Sequence, residues 1–208
     1  MNLSKRLQAV ATLVDIDSRV IDVGCDHAYL DIYLTLNNGN TCIASDINEK
    51  ALNSAKENIK KYKLSRKIKT KLTDGLTDIE VTASDNIVIC GMGTHTILDI
   101  LNTNNLSNTL IISSNNDIEL LRREVVKLGY YIDSEIFLID RKKPYIIIKF
   151  IRGIKKYTKY DYIIGPILKN NIEYKKYLNK KYNKLLEIVP KNKVLLRLKY
   201  KRILKKTK

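Results

Sequence analysis

Five loops in this chain carry side chains able to do chemistry, and each follows a short β-branched run. The first reads Asp22-Val23-Gly24-Cys25-Asp26-His27-Ala28-Tyr29. A glycine between a strand and a helix start is where open α/β sheets receive nucleotide-like ligands. The helix amides point outward there, and the missing Cβ lets the backbone approach. One glycine is a short motif, the fuller glycine-rich pattern is missing, and an ordinary turn would use the same residue. Asp46 ends the second run, about twenty residues on, where it either binds both ribose hydroxyls of an adenosine or caps the next helix. Asp74-Gly75 follows the third run and either flanks an adenine ring or makes a plain turn. Gly91-Met92-Gly93 follows the fourth and leaves room for a ligand against the backbone. The fifth ends in Ser113-Ser114-Asn115-Asn116. Cys25, Cys42 and Cys90 are odd in number and far apart, which suggests a reducing cytoplasm, and no metal-ligand cluster is visible.

The elements that must position these loops alternate. Arg19–Val23, Thr41–Ser45, Lys67–Leu72, Asn86–Cys90 and Thr109–Ser113 read as strands, nearly all apolar and so buried on both faces. Tyr29–Leu36, Asn48–Tyr62, His95–Leu101 and Asp117–Leu128 read as the helices between or after them. Leu3, Leu7, Val10, Leu13 and Val14 share one side of an introductory helix. The alternation predicts an α/β domain with a parallel sheet. Tyr130–Ile139 and Tyr145–Ile151 break the pattern. Only Asp140–Pro144 separates them, too short for a parallel crossover, so they pair antiparallel. A doubly wound sheet ending in such a hairpin resembles the Rossmann-like class I methyltransferases rather than NAD-binding domains.

Charge divides the chain. Residues 1–150 hold 19 Lys/Arg against 19 Asp/Glu, while residues 151–208 hold 19 Lys/Arg against Asp161, Glu173 and Glu187, so the net +16 sits in the tail. A neutral body with a basic tail suggests a polyanionic partner, unless the lysines simply solvate a helix. Residues 152–165 read as a connector. Beyond it, 167–188 and 193–206 keep an apolar helical period and predict an antiparallel two-helix coiled coil. The expected domains are 1–155 and 156–208. No run is long and apolar enough to span a bilayer, and the N-terminus lacks the pattern of a signal peptide.

GCDHAYLD, GMGT and ISSNN together resemble one family, the bacterial tRNA (adenine-22-N1)-methyltransferases, TrmK. That family is known for D-H-A-Y-L-P, G-M-G-G and Q-P-N elements in these positions, on a Rossmann-like domain with a C-terminal helical hairpin. Asp31, Thr94 and Ser113-Ser114 depart from the pattern, and Leu121-Arg122 matches it. The resemblance implies a monomeric cytoplasmic enzyme that uses S-adenosyl-L-methionine to methylate N1 of adenine 22 in tRNA, without metal or membrane. It implies a cofactor site of Asp22, Gly24, Asp46, Ile47, Asp74, Gly75, Gly91, Met92 and Gly93. It implies tRNA contacts at Asn115, Arg122, Lys155, Lys175, Lys176 and Lys180.

Methyl transfer from a sulfonium is an in-line displacement, and adenine N1 already offers a lone pair. Catalysis is then mostly positioning and electrostatics. A carboxylate near N1 and N6 would stabilise the developing charge and accept the N6 proton. Asp26 is the candidate, with helix capping as its alternative. His27 and Tyr29 would orient or stack on the base, or serve the fold alone. The extracted base needs its phosphates held, by the basic hairpin and by Lys56–Lys71. The rival readings are a methyltransferase for another RNA position and a non-catalytic RNA-binding protein on this fold.

Overall fold

Val20, Ile21, Ile87, Val88, Ile89, Leu110, Ile111 and Ile112 lose all contact with solvent. Strands so apolar on both faces need helices on both faces of the sheet. In the structure, a computed structural model describing residues 3–102 and 106–207, five strands run parallel. They are β1 (Arg19–Val23), β2 (Thr41–Asp46), β3 (Ile68–Leu72), β4 (Asn86–Met92) and β5 (Thr109–Ser114). β6 (Tyr130–Asp140) and β7 (Lys143–Arg152) form the expected hairpin, and β7 inserts antiparallel between β5 and β6. The order is β3-β2-β1-β4-β5-β7-β6. It reverses between β1 and β4, where a crevice opens at the carboxyl ends of the strands.

Helices α1 (Lys5–Ala11), α2 (Tyr29–Asn38), α3 (Glu49–Lys61), α4 (Thr94–Leu101) and α5 (Ile118–Lys127) complete the unit 1–155. α1 buries Val10 and Ala11, and Leu7 and Leu13 pack against the same core. β3 differs from expectation. Only Ile68 of its five residues is buried, because β3 is a sheet edge. Its exposed Lys69 and Lys71 discourage pairing with another chain.

The unit 156–208 is helical. The expected connector contains α6 (Lys159–Ile164), started by a capping box. Thr158 Oγ1 accepts from the Asp161 amide at 3.3 Å, and Asp161 Oδ2 accepts from the Thr158 amide at 2.9 Å. α7 (Ile172–Ile188) and α8 (Val194–Thr207) run antiparallel. Asn179 bonds to Thr207, the rings of Tyr182 and Tyr200 lie 5.3 Å apart, and Arg197 donates to the carbonyls of Leu186 and Val189. Among the described residues, no helix is long and apolar enough to cross a membrane.

Besides Asp85, which is paired with Arg19, two charged clusters interrupt the apolar interior among the described residues of unit 1–155. Arg122 Nε and Nη2 both stand 2.7 Å from Glu135 Oε1, and both side chains are fully buried. This corrects the expectation that Arg122 touches tRNA. It joins α5 to β6, out of reach of any solvent-borne partner. Second, Asp31 of α2 is buried against Asp22 of β1. Burial pushes both carboxyls up, Asp22 to about 7 and Asp31 well above the ordinary range.

Arg122→Ala removes the cation held against buried Glu135 and should cost about 3–5 kcal/mol. Urea unfolding measures this, and tRNA affinity of the folded fraction should not change. For Asp31 the raised value means that the folded state holds a proton the unfolded chain has lost. That contribution to stability is present below about pH 4 and lost as pH rises towards the folded value, by up to about 1.4 kcal/mol per pH unit. Asp31→Asn keeps the shape and removes the titration. Its stability should therefore fall less steeply than the wild type's between pH 4 and 7, as melting at successive pH values will read.

Candidate cofactor and substrate site

The turn after β1 is built from left-handed residues. Gly24 has φ 79°, Asp26 φ 50° and Ala28 φ 55°. A non-glycine residue there costs roughly 1–2 kcal/mol, so neighbours must hold it. They do. The amides of Gly24 and Cys25 converge on the Ser45 carbonyl at 2.8 and 3.0 Å, and Asn58 Nδ2 donates to the His27 carbonyl at 3.1 Å. The Asp26 amide donates to Asp46 Oδ2 at 3.2 Å. A Cβ on Gly24 would stand 2.4 Å from Met92 Cε and displace the end of that flexible side chain, so it is the left-handed conformation that favours glycine here.

These contacts exclude helix capping for two aspartates. Ala28, not Asp26, is the N-cap of α2, and no side chain caps that helix. Asn48, not Asp46, caps α3, accepting from the amides of Lys50 and Ala51. Asp46 instead ties two loops together, receiving the Asn48 amide on Oδ1 at 2.9 Å as well as that of Asp26. Each of its oxygens keeps a lone pair at the half-exposed end of β2. The neighbouring Ile47 is 69% exposed, an apolar face on the same rim.

Asp22, Gly24, Asp26, His27 and Tyr29 line one cavity of about 80 Å³. Residue type and spacing did not mark three of its other walls: Arg6 and Leu7 from α1, and Cys90 from β4. Arg6 brings a cation to a cavity with two aspartates. The carboxylate of Asp26 is 73% exposed, with His27 Nε2 3.6 Å away. The rings of His27 and Tyr29 are 5.7 Å apart and tilted by 42°. Asp22 is held up at about 7 chiefly by burial and secondly by nearby Asp46, against the hydrogen bond from Asp31 and the charge of Arg6. Burial also pushes the Cys25 and Cys42 thiols up and takes Cys90 to about 12, so none is a thiolate nucleophile near neutral pH.

Asp74 and Gly75 line a different recess, about 400 Å³, with Thr96, Asp99 and Ile100 from α4. Gly75 (φ 60°) lies against Ile100, where a Cβ would meet Cγ1 at 3.1 Å. The β4 loop closes onto the β5 loop. Asn115 donates from Nδ2 to the Gly91 carbonyl at 2.7 Å and from its amide to the Met92 carbonyl at 2.9 Å. Thr94 Oγ1 meets Ser114 Oγ at 2.8 Å, and the Thr94 amide donates to Asn116 Oδ1 at 2.9 Å. Thr94 and Ser114, two departures from the family pattern, are thus each other's partners.

Lys155 is exposed at the end of unit 1–155, its Nζ 4.8 Å from the Tyr131 ring centroid. Lys176 and Lys180 are exposed on α7, and Lys175 is half-buried. The tyrosines of the helical unit pair with one another: Tyr157 with Tyr162, and Tyr174 with Tyr177. Lys56, Lys60, Lys61, Lys63, Arg66, Lys67, Lys69 and Lys71 are all exposed along α3 and β3. Among the described residues no group of His, Cys, Asp and Glu could hold a metal ion.

Residues 3–148 match a methyltransferase domain family. The chain is 32% identical over 192 residues to the tRNA (adenine(22)-N(1))-methyltransferase of Bacillus subtilis, covering 85% of this chain and 80% of that one. It is similar to the structure of M. capricolum TrmK in complex with S-adenosyl-homocysteine, with 32% identity and a TM-score of 0.84 over 99% of this chain and 96% of that one. A Streptococcus agalactiae protein of the NADB-Rossmann superfamily superposes with a TM-score of 0.88 at 32% identity, over 100% of this chain and 96% of that one. With its sheet order, its terminal hairpin and its glycine turn at the switch point, the chain belongs to the TrmK family of tRNA (adenine-22-N1)-methyltransferases.

Proposed function

We propose that the rim between β1 and β4 binds S-adenosyl-L-methionine and that the enzyme transfers its methyl group to N1 of adenine 22 in tRNA. The observation that carries this reading is the left-handed turn Gly24–Ala28, packed on Met92 and clamped by Ser45 and Asp46. It leaves bare backbone at the crevice where an adenosine lies in open α/β sheets. The residues present fit the cofactor. Asp46 keeps acceptor capacity for the ribose hydroxyls, Ile47 offers an apolar face, and Asp74 and Gly75 border the recess beside α4. Asp22 supplies a buried carboxyl to the ammonium end, and Gly91, Met92 and Gly93 come to the same crevice at the end of β4.

When bound, S-adenosyl-L-methionine supplies an electrophilic methyl group on a sulfonium. The chain's own task is to hold adenine N1 in line with it. Tyr29 and His27, tilted rings at the mouth of the cavity, orient the base. Asp26, placed by its amide on Asp46, faces the developing positive charge and takes the N6 proton. Asn115 spends its amide nitrogen on Gly91 and keeps Oδ1 as an acceptor for the exocyclic amine. tRNA phosphates are held by Lys155, Lys175, Lys176 and Lys180 and by the exposed cations of α3 and β3. The enzyme works as a monomer in the cytoplasm, with 1–155 as the catalytic domain and 156–208 as the RNA-binding one.

Incubation with labelled S-adenosyl-L-methionine and unmodified tRNA should give 1-methyladenosine at position 22. Label at another nucleotide would favour a methyltransferase for a different RNA position. Asp26→Asn should lower the single-turnover rate by roughly 10²–10⁴-fold while cofactor and tRNA affinities stay near those of the wild type. A loss of melting temperature alone would make Asp26 structural. For RNA binding, log affinity should fall with log salt by about 0.7–0.9 per phosphate contact. Lys176→Ala with Lys180→Ala should make that slope shallower by one to two contacts, leaving cofactor binding unchanged. An unaltered slope would make these lysines solvated surface.

A further inference from the structure

Asp31 is the least expected residue in the core. It stands in the first turn of α2, fully buried. No donor reaches either carboxylate oxygen with good hydrogen-bond geometry. Its side-chain neighbours are the carboxyl of Asp22 and, more weakly, the thiol of Cys42. Two carboxyls in mutual contact and out of water cannot both be ionised, so the pair keeps a proton. The two members are not equivalent. Asp22 is 5% exposed and lines the cavity with Gly24 and Asp26, whereas Asp31 has no exposure at all. Arg6 faces Asp22 from α1 and favours its ionised form, while Asp46 from β2 opposes it. Cys25, Cys42 and Cys90 also surround the pair and stay neutral because burial holds their thiols up, and Asp26, His27 and Tyr29 share the cavity lining with Asp22. Asp22 is therefore the member that ionises, and Asp31 the one that keeps its proton.

We propose that Asp31 is a positioning residue for cofactor capture: it donates its carboxyl proton in a hydrogen bond to Asp22, so that Asp22 is the anion that meets the cofactor's ammonium group. This rests on the cofactor reading above. In the free enzyme near neutral pH, part of the population carries a proton on Asp22. On cofactor binding that proton leaves to solvent, while the proton of Asp31 stays. The donor of Asp31 thus sets how readily Asp22 becomes charged, and affinity for the cofactor carries the same pH dependence.

The test is calorimetric titration of the full chain with S-adenosyl-L-homocysteine from pH 5.5 to 8.5, in paired buffers of different ionisation enthalpy. The wild type should release close to one proton at pH 6 and few at pH 8.5. Its affinity should fall up to tenfold per pH unit on the acid side. Asp31→Asn, which still donates an N–H, should keep the profile. Asp31→Leu removes the donor and should move the profile up by about one pH unit. Affinity then drops about fivefold at pH 7 and about tenfold at pH 6, and recovers at pH 8.5. An Asp31→Leu profile superimposable on the wild type's, or equal and pH-independent losses in both variants, would overturn the proposal. Should Asp31→Leu not fold, proton release by the wild type decides alone: no release at pH 6 overturns it. Asp22→Asn separates the two levels. Unchanged affinity there overturns the contact between Asp22 and cofactor, and with it the role of Asp31. A clear loss there with a wild-type profile for Asp31→Leu overturns the role of Asp31 only.

Discussion

The carbonyl oxygen of Ser45 receives two amides, from Gly24 and Cys25, and the geometry of the rim depends on that convergence. It bends the chain out of β1 towards the end of β2, where Asp46 catches the next free amide, that of Asp26. Three left-handed residues within five positions are tolerated because the turn is held along its length: Gly24 on Ser45, Asp26 on Asp46, the His27 carbonyl on Asn58, and Ala28 on the Cys25 carbonyl. The result is a rigid turn, with Asp26 and His27 exposed at its tip and helix α2 beginning directly behind it. Groups that must meet a nucleophile and an electrophile in line gain most from this kind of prior fixing, because the cost of ordering them is met in folding.

The electrostatic design follows from what lies underneath. A carboxyl pair, Asp22 with Asp31, sits just below the exposed Asp26, and Arg6 from the introductory helix is the cation at the same cavity. α1 is therefore more than a lid on the hydrophobic core. Its apolar side packs on the sheet and its Arg6 lines the cavity. The Arg122–Glu135 pair plays a different part. Fully buried and far along the chain, it couples α5 to the terminal hairpin and leaves the site's charges alone.

The loops after β4 and β5 show how a site absorbs changes of sequence. In a family characterised by G-M-G-G and Q-P-N, this chain has Thr94 and Ser113-Ser114. The Thr94 hydroxyl bonds to Ser114, and the Thr94 amide to Asn116. Side-chain hydrogen bonds thus hold the loop where the family's pattern has proline. Asn115 remains seated on the Gly91 and Met92 carbonyls.

Much of this was legible in the residues. Strand alternation, the short Asp140–Pro144 connection and the apolar period of the tail each report a local, repeating constraint, and such constraints survive without tertiary context. The glycine turn and the aspartate after β2 were legible because strand ends and spacing mark them. The charge division was legible because it is a sum. Other features were not, because they depend on which distant segments meet. Arg122 reads as a cation on a helix, and only the approach of β6 buries it against Glu135. β3 reads as an interior strand, and only its place at the sheet edge exposes it. Asp31 reads as an acid in a helix's first turn, where acids are common. Only the packing of α2 onto β1 and β2 strips it of water and sets it against Asp22. Arg6 is invisible in the same way, one basic residue among many until the fold delivers it to the cavity. Local residue patterns are enough to mark most elements, their order and the residue types at the rim, though not α6 within the expected connector. Which charges lose their water depends on packing, because desolvation is a property of the assembled interior and not of any segment.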